Sequence, residues 1–165
     1  MSGKRLENWR SEIRIPAGAF IHMKNLKLLL SVFLIAFLLN LLWENLHSLL
    51  YLWNILPLKN DVYFYVYKIL KASVIDAFLI VFIFLLNSLY RKNFNWVKEV
   101  KRGDYLLFLF LGLIFAVIIE IKAKILNLWS YSESMPLVFG IGLTPLIQLA
   151  VTGAITLKIV NALKN

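Results

Sequence analysis

Residues 67–90 read YKILKASVIDAFLIVFIFLLNSLY, and Lys68, Lys71 and Asp76 are the only charged residues among them. Residues 77–86 of this stretch are apolar without interruption. A helix rises about 1.5 Å per residue and the hydrocarbon core of a bilayer is about 30 Å thick, so the segment is long enough to cross a membrane. It predicts a transmembrane helix.

Three further segments have the same character, at about 28–50, 105–125 and 137–160. The four together predict an all-α fold, a polytopic membrane protein built as a four-transmembrane-helix bundle, because helices satisfy their own backbone groups in lipid. In residues 1–25, apolar and charged residues alternate before the first span, which favours an N-terminal interfacial segment. A disordered tail is the alternative for that segment. We expect the chain, residues 1–165, to form a single membrane domain.

Composition agrees with a membrane protein and excludes several other classes. Hydrophobic residues make up 61% of the chain and charged residues 16%, which is more apolar and less charged than a typical soluble domain. The net charge of +9 is explained by basic residues that flank spans, so we expect membrane lipids as partners and no nucleic acid. Cysteine is absent, which excludes disulfides, thiolate zinc sites and a cysteine nucleophile.

The distribution of Lys and Arg predicts how the spans are oriented. Thirteen of the 18 basic residues fall before the first span, between the second and third, or near the C-terminus. The positive-inside rule therefore predicts a multi-pass protein of the cell membrane with both termini cytoplasmic. Residues 51–66 and 126–136 would then face outward.

Polar residues recur along one face of each predicted helix. The intervals i, i+4, i+7 and i+11 place side chains on one face. The first and third spans show this spacing, the second has a deep carboxylate below two lysines, and the fourth repeats every four residues. These sets are Asn40, Glu44, His47 and Tyr51; Glu120, Lys124, Asn127 and Tyr131; Asp76 with Lys68 and Lys71; and Thr144, Gln148 and Thr152.

All four sets fall in the half of the membrane predicted to face outward, which indicates a shared polar pocket. The groups suited to acid–base catalysis are Glu44, His47, Asp76 and Glu120. The residues expected to bind a substrate are Asn40, Trp43, Tyr51, Lys68, Lys71, Lys124, Trp129, Tyr131, Thr144 and Gln148. Each set has a simpler alternative: Glu120 and Lys124 could neutralise each other, and Asn40 and Gln148 could join helices.

Two motifs near the pocket have open interpretations. Residues 140–145 read GIGLTP, which predicts either a kink that lines the pocket or close glycine packing. Glu44 and His47 have the E-x-x-H spacing of metal-binding bundles, but the motif occurs once and His22 is expected on the opposite side. We therefore expect no metal and no cofactor.

Two stretches, NLLWENLH with LY at residues 40–51 and WSY, MP and GLTPLIQ at residues 129–148, resemble patterns in small uncharacterised integral membrane proteins of prokaryotes. The resemblance covers about half of the chain and carries no known activity. It implies only that the pocket residues form a signature.

Three functions of different classes remain open from the sequence. The first is an acid–base enzyme that acts on a lipid or isoprenoid, of isomerase, hydratase or cyclase type. The second is a small transporter or channel, which would need a homo-oligomer because four spans are few. The third is a non-catalytic assembly factor or lipid-binding subunit. A transport path should cross the membrane, and the inner half shows no polar lining, so we place the enzyme first.

Overall fold

The described part of the chain consists mainly of four long helices. The computed structural model describes residues 17–52 and 62–164, with side chains from Lys24 onward. The helices are α1 (Ala17–His47), α2 (Val62–Tyr90), α3 (Arg102–Ile125) and α4 (Leu143–Lys164). Each is long and apolar enough to span a membrane. The predicted all-α bundle of four transmembrane helices is therefore confirmed, and the chain is a multi-pass membrane protein.

The outer surface of the bundle is apolar, as contact with lipid requires. On α1, leucines at four-residue steps are all at least half exposed: Leu26, Leu30, Leu34, Leu38, Leu42 and Leu46. A continuous apolar stripe of this length would be unusual on a soluble protein. The opposite face of α1 packs against α2 and α4, while α3 packs chiefly against α4.

The closest helix contact lies between α3 and α4 and depends on a glycine. A Cβ atom at Gly112 would lie 2.7 Å from the backbone nitrogen of Ala150. Small residues allow such backbone approach, which is how membrane helices gain packing energy.

The end of the bundle that carries residues 91–101 is closed by a packed loop. Trp96, in a 3-10 turn at Trp96–Glu99, is buried against Phe84 and Phe108 and donates its ring N–H to Ser88 Oγ at 2.9 Å. Asp104 accepts the backbone N–H of Lys101 at 2.7 Å and so caps α3. These contacts hold α2 and α3 together at this end.

The other end carries the polar residues and is called the pocket end. Here a 3-10 turn, Ser48–Leu50, follows α1, and a short hairpin precedes α4, with strands β1 (Leu137–Val138) and β2 (Ile141–Gly142). The chain also forms an isolated antiparallel bridge between Tyr51 and Tyr131. It is flanked by hydrogen bonds from Leu52 N–H to Ser130 O and from Ser132 N–H to Leu50 O, each 2.9 Å.

The predicted fourth span begins six residues too early. Residues 137–142 are apolar but form the hairpin, and α4 begins at Leu143. Phe139 and Gly140 have φ values of +52° and +77°, which suit the tight turn of a two-residue hairpin. Pro145 lies in the first turn of α4, where its missing N–H breaks no helical bond. Residues 140–145 thus form the end of the hairpin and the first turn of α4 and not the predicted kink. Gly142 is buried and packs closely, as the alternative expected, because an added Cβ would lie 3.0 Å from the side chains of Tyr131 and Pro145.

The first span also differs at its ends. Helix α1 begins at Ala17, so residues 17–25 continue into the span instead of forming a separate interfacial segment. The rest of that predicted segment, residues 1–16, lies outside the described residues. At the pocket end α1 stops at His47, before the predicted Leu50, because the 3-10 turn takes over.

Candidate functional site

Two carboxyl groups meet at the side chain of Gln148, at the centre of the pocket end. The Nε2 atom of Gln148 lies 2.7 Å from Glu44 Oε1 and 2.8 Å from Asp76 Oδ2. The two carboxyl groups are also within hydrogen-bonding reach of each other. Three helices, α1, α2 and α4, therefore supply one polar cluster, in which Gln148 is buried and Glu44 and Asp76 are half-buried.

Asn40 and Thr152 form hydrogen bonds next to Gln148. Asn40 Oδ1 lies 3.2 Å from Gln148 Nε2 and accepts the hydroxyl of Thr152 at 3.1 Å. Asn40 also donates to the backbone carbonyl of Ala36 at 2.8 Å. An amide nitrogen has two hydrogens, so Gln148 serves two of its three oxygen neighbours at a time. The one hydroxyl hydrogen of Thr152 is shared between Asn40 Oδ1 at 3.1 Å and the backbone carbonyl of Gln148 at 2.8 Å. Asn40 and Gln148 do join helices, as the simpler interpretation of the sequence expected, but they also orient the carboxyl groups.

The third carboxyl group, that of Glu120 on α3, has different partners. Tyr131 donates its hydroxyl to Glu120 Oε2, and the Trp129 side chain is within hydrogen-bonding reach of the same carboxyl. Glu120 is buried. The alternative of mutual neutralisation with Lys124 does not hold, since the one ion pair among the described residues joins Arg91 and Asp104 at the opposite end.

His47 and Tyr51 close the pocket beside this carboxyl. His47 Nε2 lies 2.7 Å from the Tyr51 hydroxyl, and the ring is buried. Its other ring nitrogen, Nδ1, has no hydrogen-bond partner within the described part of the chain. Tyr51 lies edge-on to Trp129, with ring centroids 6.2 Å apart, and its ring is 5.6 Å from that of Tyr131.

Burial shifts the pKa values of Tyr51 and Tyr131, which lie outside the helices. It raises the pKa of Tyr131 to about 12, and the hydrogen bond to Glu120 adds to the effect. Burial likewise raises the pKa of Tyr51 above its ordinary value, and the nearby carboxyl groups act in the same direction. Both hydroxyls therefore stay protonated at neutral pH and act as donors or acceptors rather than as bases.

These groups surround a cavity of about 610 Å³. A volume of this size lies in the range of roughly 300–1,000 Å³ that is usual for small-molecule sites. Its polar lining includes Glu44, Asp76, Glu120 and Gln148. Helices α2, α3 and α4 add seven apolar residues, which are Ile69, Ala72, Ile75, Ala116, Ile119, Pro145 and Leu149. The lining contains few residues from the half of the bundle beyond Gln148, where the packed apolar core begins.

The cavity has a basic mouth and an apolar side. Lys68 and Lys71 on α2 and Lys122 on α3 all line it and are all exposed. Ile75, which also lines it, is 47% exposed on the lipid-facing side of α2. The contacts that join α2 to α3 lie farther along, such as the ring contact of Phe82 with Phe115. The cavity is thus lined by both α2 and α3 at the pocket end.

The structure brings together nine of the residues that were predicted for the site. The cavity is lined by Glu44, His47, Tyr51, Lys68, Lys71, Asp76, Glu120, Trp129 and Gln148. Lys124 and Tyr131 lie instead on an adjoining cavity of about 240 Å³, which also contacts Glu120 and Trp129. Lys122 was missed because it lies outside the i, i+4, i+7 series from Glu120, although its charge at a span end was a usable signal.

Three predicted binding residues lie off the cavity. Asn40 is fully buried behind Gln148. Thr144 directs its hydroxyl to the sulfur of Met135 at 3.2 Å, because the helix begins at Leu143 and turns the side chain toward the loop. Trp43 does not line either cavity, and its ring nitrogen is buried without a partner in the described ranges. Contrary to the expectation of direct contact with a substrate, none of the three lines either cavity.

A metal-ligand set of three or more His, Asp or Glu residues is absent from residues 24–52 and 62–164. No known family model, curated protein or solved structure is significantly similar to the chain.

Proposed function

We propose that this integral membrane protein is an enzyme that uses acid–base chemistry on the double bond of a lipid or isoprenoid. The proposal rests on one observation. The carboxyl groups of Glu44 and Asp76 both contact the side-chain amide of Gln148, and the cavity around them is also lined by Glu120. Paired carboxyl groups and a third, separately bonded carboxyl group are the components that an acid and a base require.

The Glu44–Asp76 pair is assigned the acid role. Two carboxylates in contact repel each other, and an apolar surrounding makes a second buried charge costly. A proton held between the two groups removes that repulsion and leaves one hydrogen available for transfer. Gln148 donates to both groups and fixes their orientation toward the cavity.

Glu120 is assigned the base role. It accepts hydrogen bonds from the Tyr131 hydroxyl and lies within reach of a second donor on Trp129. Donors of this kind favour the ionised form of a carboxyl group. Two environments in one cavity therefore prepare one site to give a proton and the other to accept one.

The proposed reaction begins when the acid pair transfers a proton to one carbon of a carbon–carbon double bond. The new C–H bond uses the π electrons and leaves a carbocation on the neighbouring carbon. Glu120 then removes a proton from an adjacent carbon, so that the double bond re-forms one position away and no charge accumulates. Addition of water or closure of a ring would be other outcomes of the same cation. The rings of Tyr51 and Trp129 can stabilise the positive charge.

The proposed substrate enters from the membrane. The cavity adjoins lipid between α2 and α3, and the partly exposed Ile75 lies at that border. With the termini in the cytoplasm, as the basic residues predict, this entrance belongs to the outer leaflet of the cell membrane.

A transport function has less support. Beyond Gln148 the buried core is mainly apolar and includes Ile80, Phe84, Leu157 and Val160. Ser88 and Thr156, which are polar and buried there, donate their hydroxyls to carbonyls of their own helices. An ion or solute path would need polar groups through that half of the membrane. A non-catalytic lipid-binding subunit would use the same cavity without needing the carboxyl pair.

Solvent exchange tests the proposed chemistry. Purified protein in neutral detergent is incubated in D₂O with farnesyl phosphate, farnesol or squalene, and deuterium in the recovered lipid is located by mass spectrometry and NMR. Protonation of a double bond predicts deuterium at an alkene carbon or its neighbour for at least one probe. Glu44→Gln and Glu120→Gln should fold normally and lose about 100-fold or more of the exchange rate.

The matched control is Glu133→Gln, which removes an exposed carboxyl group at the same end of the molecule and should exchange at the normal rate. Absence of exchange with all three lipids, or wild-type rates in both glutamate variants, would overturn the enzyme proposal. Lipid retention without exchange would favour the binding subunit, and proton flux in proteoliposomes would favour the transporter.

A further inference from the structure

Three lysines at the mouth of the cavity have no role in the acid–base chemistry. Lys68 and Lys71 approach from α2 and Lys122 from α3, so two helices on either side of the entrance contribute ammonium groups. All three side chains are exposed. They also lie at the end of the bundle where the positive-inside rule predicts few cations, so their presence there calls for a separate explanation.

The positive charge of these lysines is not compensated within the described residues. None of them has a carboxylate within 4.0 Å, because the only ion pair found there is Arg91–Asp104. The carboxyl groups of the cavity lie deeper and are bonded to Gln148 or Tyr131. An anion at the mouth would therefore meet three unpaired cations.

Aromatic rings hold two of these ammonium groups. Lys68 Nζ lies 5.2 Å from the ring centre of Phe64, and Lys71 Nζ lies 5.8 Å from that of Tyr67. Cation–π contact at this distance restricts a flexible side chain while leaving its N–H donors free for another partner. The mouth is thus partly organised before a ligand arrives.

The basic mouth leads into an apolar interior, and this combination suits an amphiphilic ligand. Ile69, Ile75, Ile119 and Leu149 line the cavity beyond the lysines. A ligand that satisfies both regions has an anionic head and an apolar chain. Phosphate matches three lysines better than a carboxylate does, because it carries up to about two charges and three acceptor oxygens.

We infer that the cavity binds a phosphate-bearing lipid, whose phosphate contacts Lys68, Lys71 and Lys122 and whose chain lies between α2 and α3. The inference names the substrate class of the enzyme proposed above and rests on that proposal for its reaction. The binding itself is independent of turnover and is measured separately.

The test compares three probes in neutral detergent: farnesyl phosphate, farnesol and inorganic phosphate. Dissociation constants are measured by native mass spectrometry or by fluorescence of the native tryptophans. Farnesyl phosphate should bind at least about 10-fold more tightly than farnesol, while inorganic phosphate should compete only at much higher concentration. Each lysine replaced by Gln should weaken binding about fivefold, which corresponds to about 1 kcal/mol.

Charge-matched variants separate head-group binding from general charge. The triple variant Lys68→Gln, Lys71→Gln and Lys122→Gln should lose about 100-fold in affinity for farnesyl phosphate and little for farnesol. The control triple variant Lys98→Gln, Lys158→Gln and Lys164→Gln removes three exposed cations away from the cavity and should bind as the wild type does. The triple variant Lys68→Arg, Lys71→Arg and Lys122→Arg keeps the charge and should keep the affinity, which shows that the loss in the Gln variants is not caused by misfolding.

Equal affinity for farnesol and farnesyl phosphate, or equal loss in both triple variants, would overturn the inference. Competition by inorganic phosphate at the same concentration as farnesyl phosphate would overturn the lipid source and leave a site for free phosphate. If farnesyl phosphate binds through the lysines but no deuterium exchange occurs, the enzyme proposal fails and the binding inference stands. If deuterium exchange occurs equally with farnesyl phosphate and farnesol, the enzyme proposal stands and the binding inference fails.

Discussion

Gln148 is the residue on which the site depends most directly. Its nitrogen contacts carboxyl groups from two other helices, and its side chain is buried. The four-residue spacing of polar groups on the fourth span indicated that Gln148 faces the pocket. The spacing could not show that two carboxyl groups share one amide, because that contact depends on how three helices are rotated about their axes.

Replacing Gln148 by Leu should lower the free energy of unfolding by about 1–3 kcal/mol, because two carboxyl groups lose a donor. Adding Asp76→Leu should recover part of the loss, since removing both partners costs less than removing one. Thermal unfolding in detergent measures both values. Thr144→Val is the control: it removes a hydroxyl that contacts only Met135 sulfur and should cost less. If the loss of stability in the double variant equals the sum of the losses in the two single variants, the shared contact is contradicted.

The hydroxyl of Tyr131 should lose its proton at a higher pH than an ordinary tyrosine does. Its pKa is raised to about 12 by burial and by its bond to Glu120, so the folded protein holds the phenol proton more tightly than the unfolded chain does. The stabilisation is complete below pH about 10 and is lost as the pH rises from about 10 to about 12. The ultraviolet difference titration between wild type and Tyr131→Phe should have its midpoint near 12. A midpoint near 10, the ordinary tyrosine value, would contradict the contact with Glu120.

At the scale of the elements, hydropathy predicted that four helices exist, and it placed the C-terminal ends of α2 and α3 at Tyr90 and Ile125. Both helices begin earlier than predicted, at Val62 and Arg102 instead of residues 67 and 105. It failed at α4, because residues 137–142 are apolar whether they form helix or hairpin. The hairpin depends on the left-handed conformation of Phe139, a residue that rarely adopts it, and so left no composition signal. The early end of α1 was equally hidden, yet Tyr51 still reaches His47 from the extended chain.

The contact of α3 with α4 predicts a sharp difference between two glycines. Gly112→Ala places a methyl group 2.7 Å from the Ala150 nitrogen, so the helices must separate, at a cost of about 1–3 kcal/mol or more. Gly103→Ala meets nothing within 4 Å and should be neutral or slightly stabilising, because alanine favours the helix. Thermal unfolding in detergent compares the two. Equal effects would show that the helices do not approach at Gly112.

At the scale of the whole molecule, depth was the informative signal in the sequence. Polar residues fell late in α1 and α3 and early in α2 and α4, which requires one common end whatever the helix rotation. The lipid-facing border of the cavity and the role of Lys122 did not follow from depth, because they depend on where α2 and α3 pack and where they do not.

The predicted orientation is tested with single cysteines, which need no background correction because the chain has none. Ser134→Cys, on an exposed loop at the pocket end, should react with a membrane-impermeant maleimide in intact cells. Asn95→Cys, exposed at the other end, should react only after permeabilisation. The reverse pattern would place the pocket in the inner leaflet and the termini outside.

The proposed function requires that a protonated carboxyl pair lies in a cavity open to lipid. Dicyclohexylcarbodiimide dissolves in membranes and reacts with protonated carboxyl groups in apolar surroundings, so peptide mass spectrometry after brief labelling tests the claim directly. Modification is expected at Glu44 or Asp76, with protection by farnesyl phosphate, and no modification is expected at the exposed Glu99 and Glu133. Modification confined to exposed carboxyl groups, with Glu44 and Asp76 unlabelled, would contradict it.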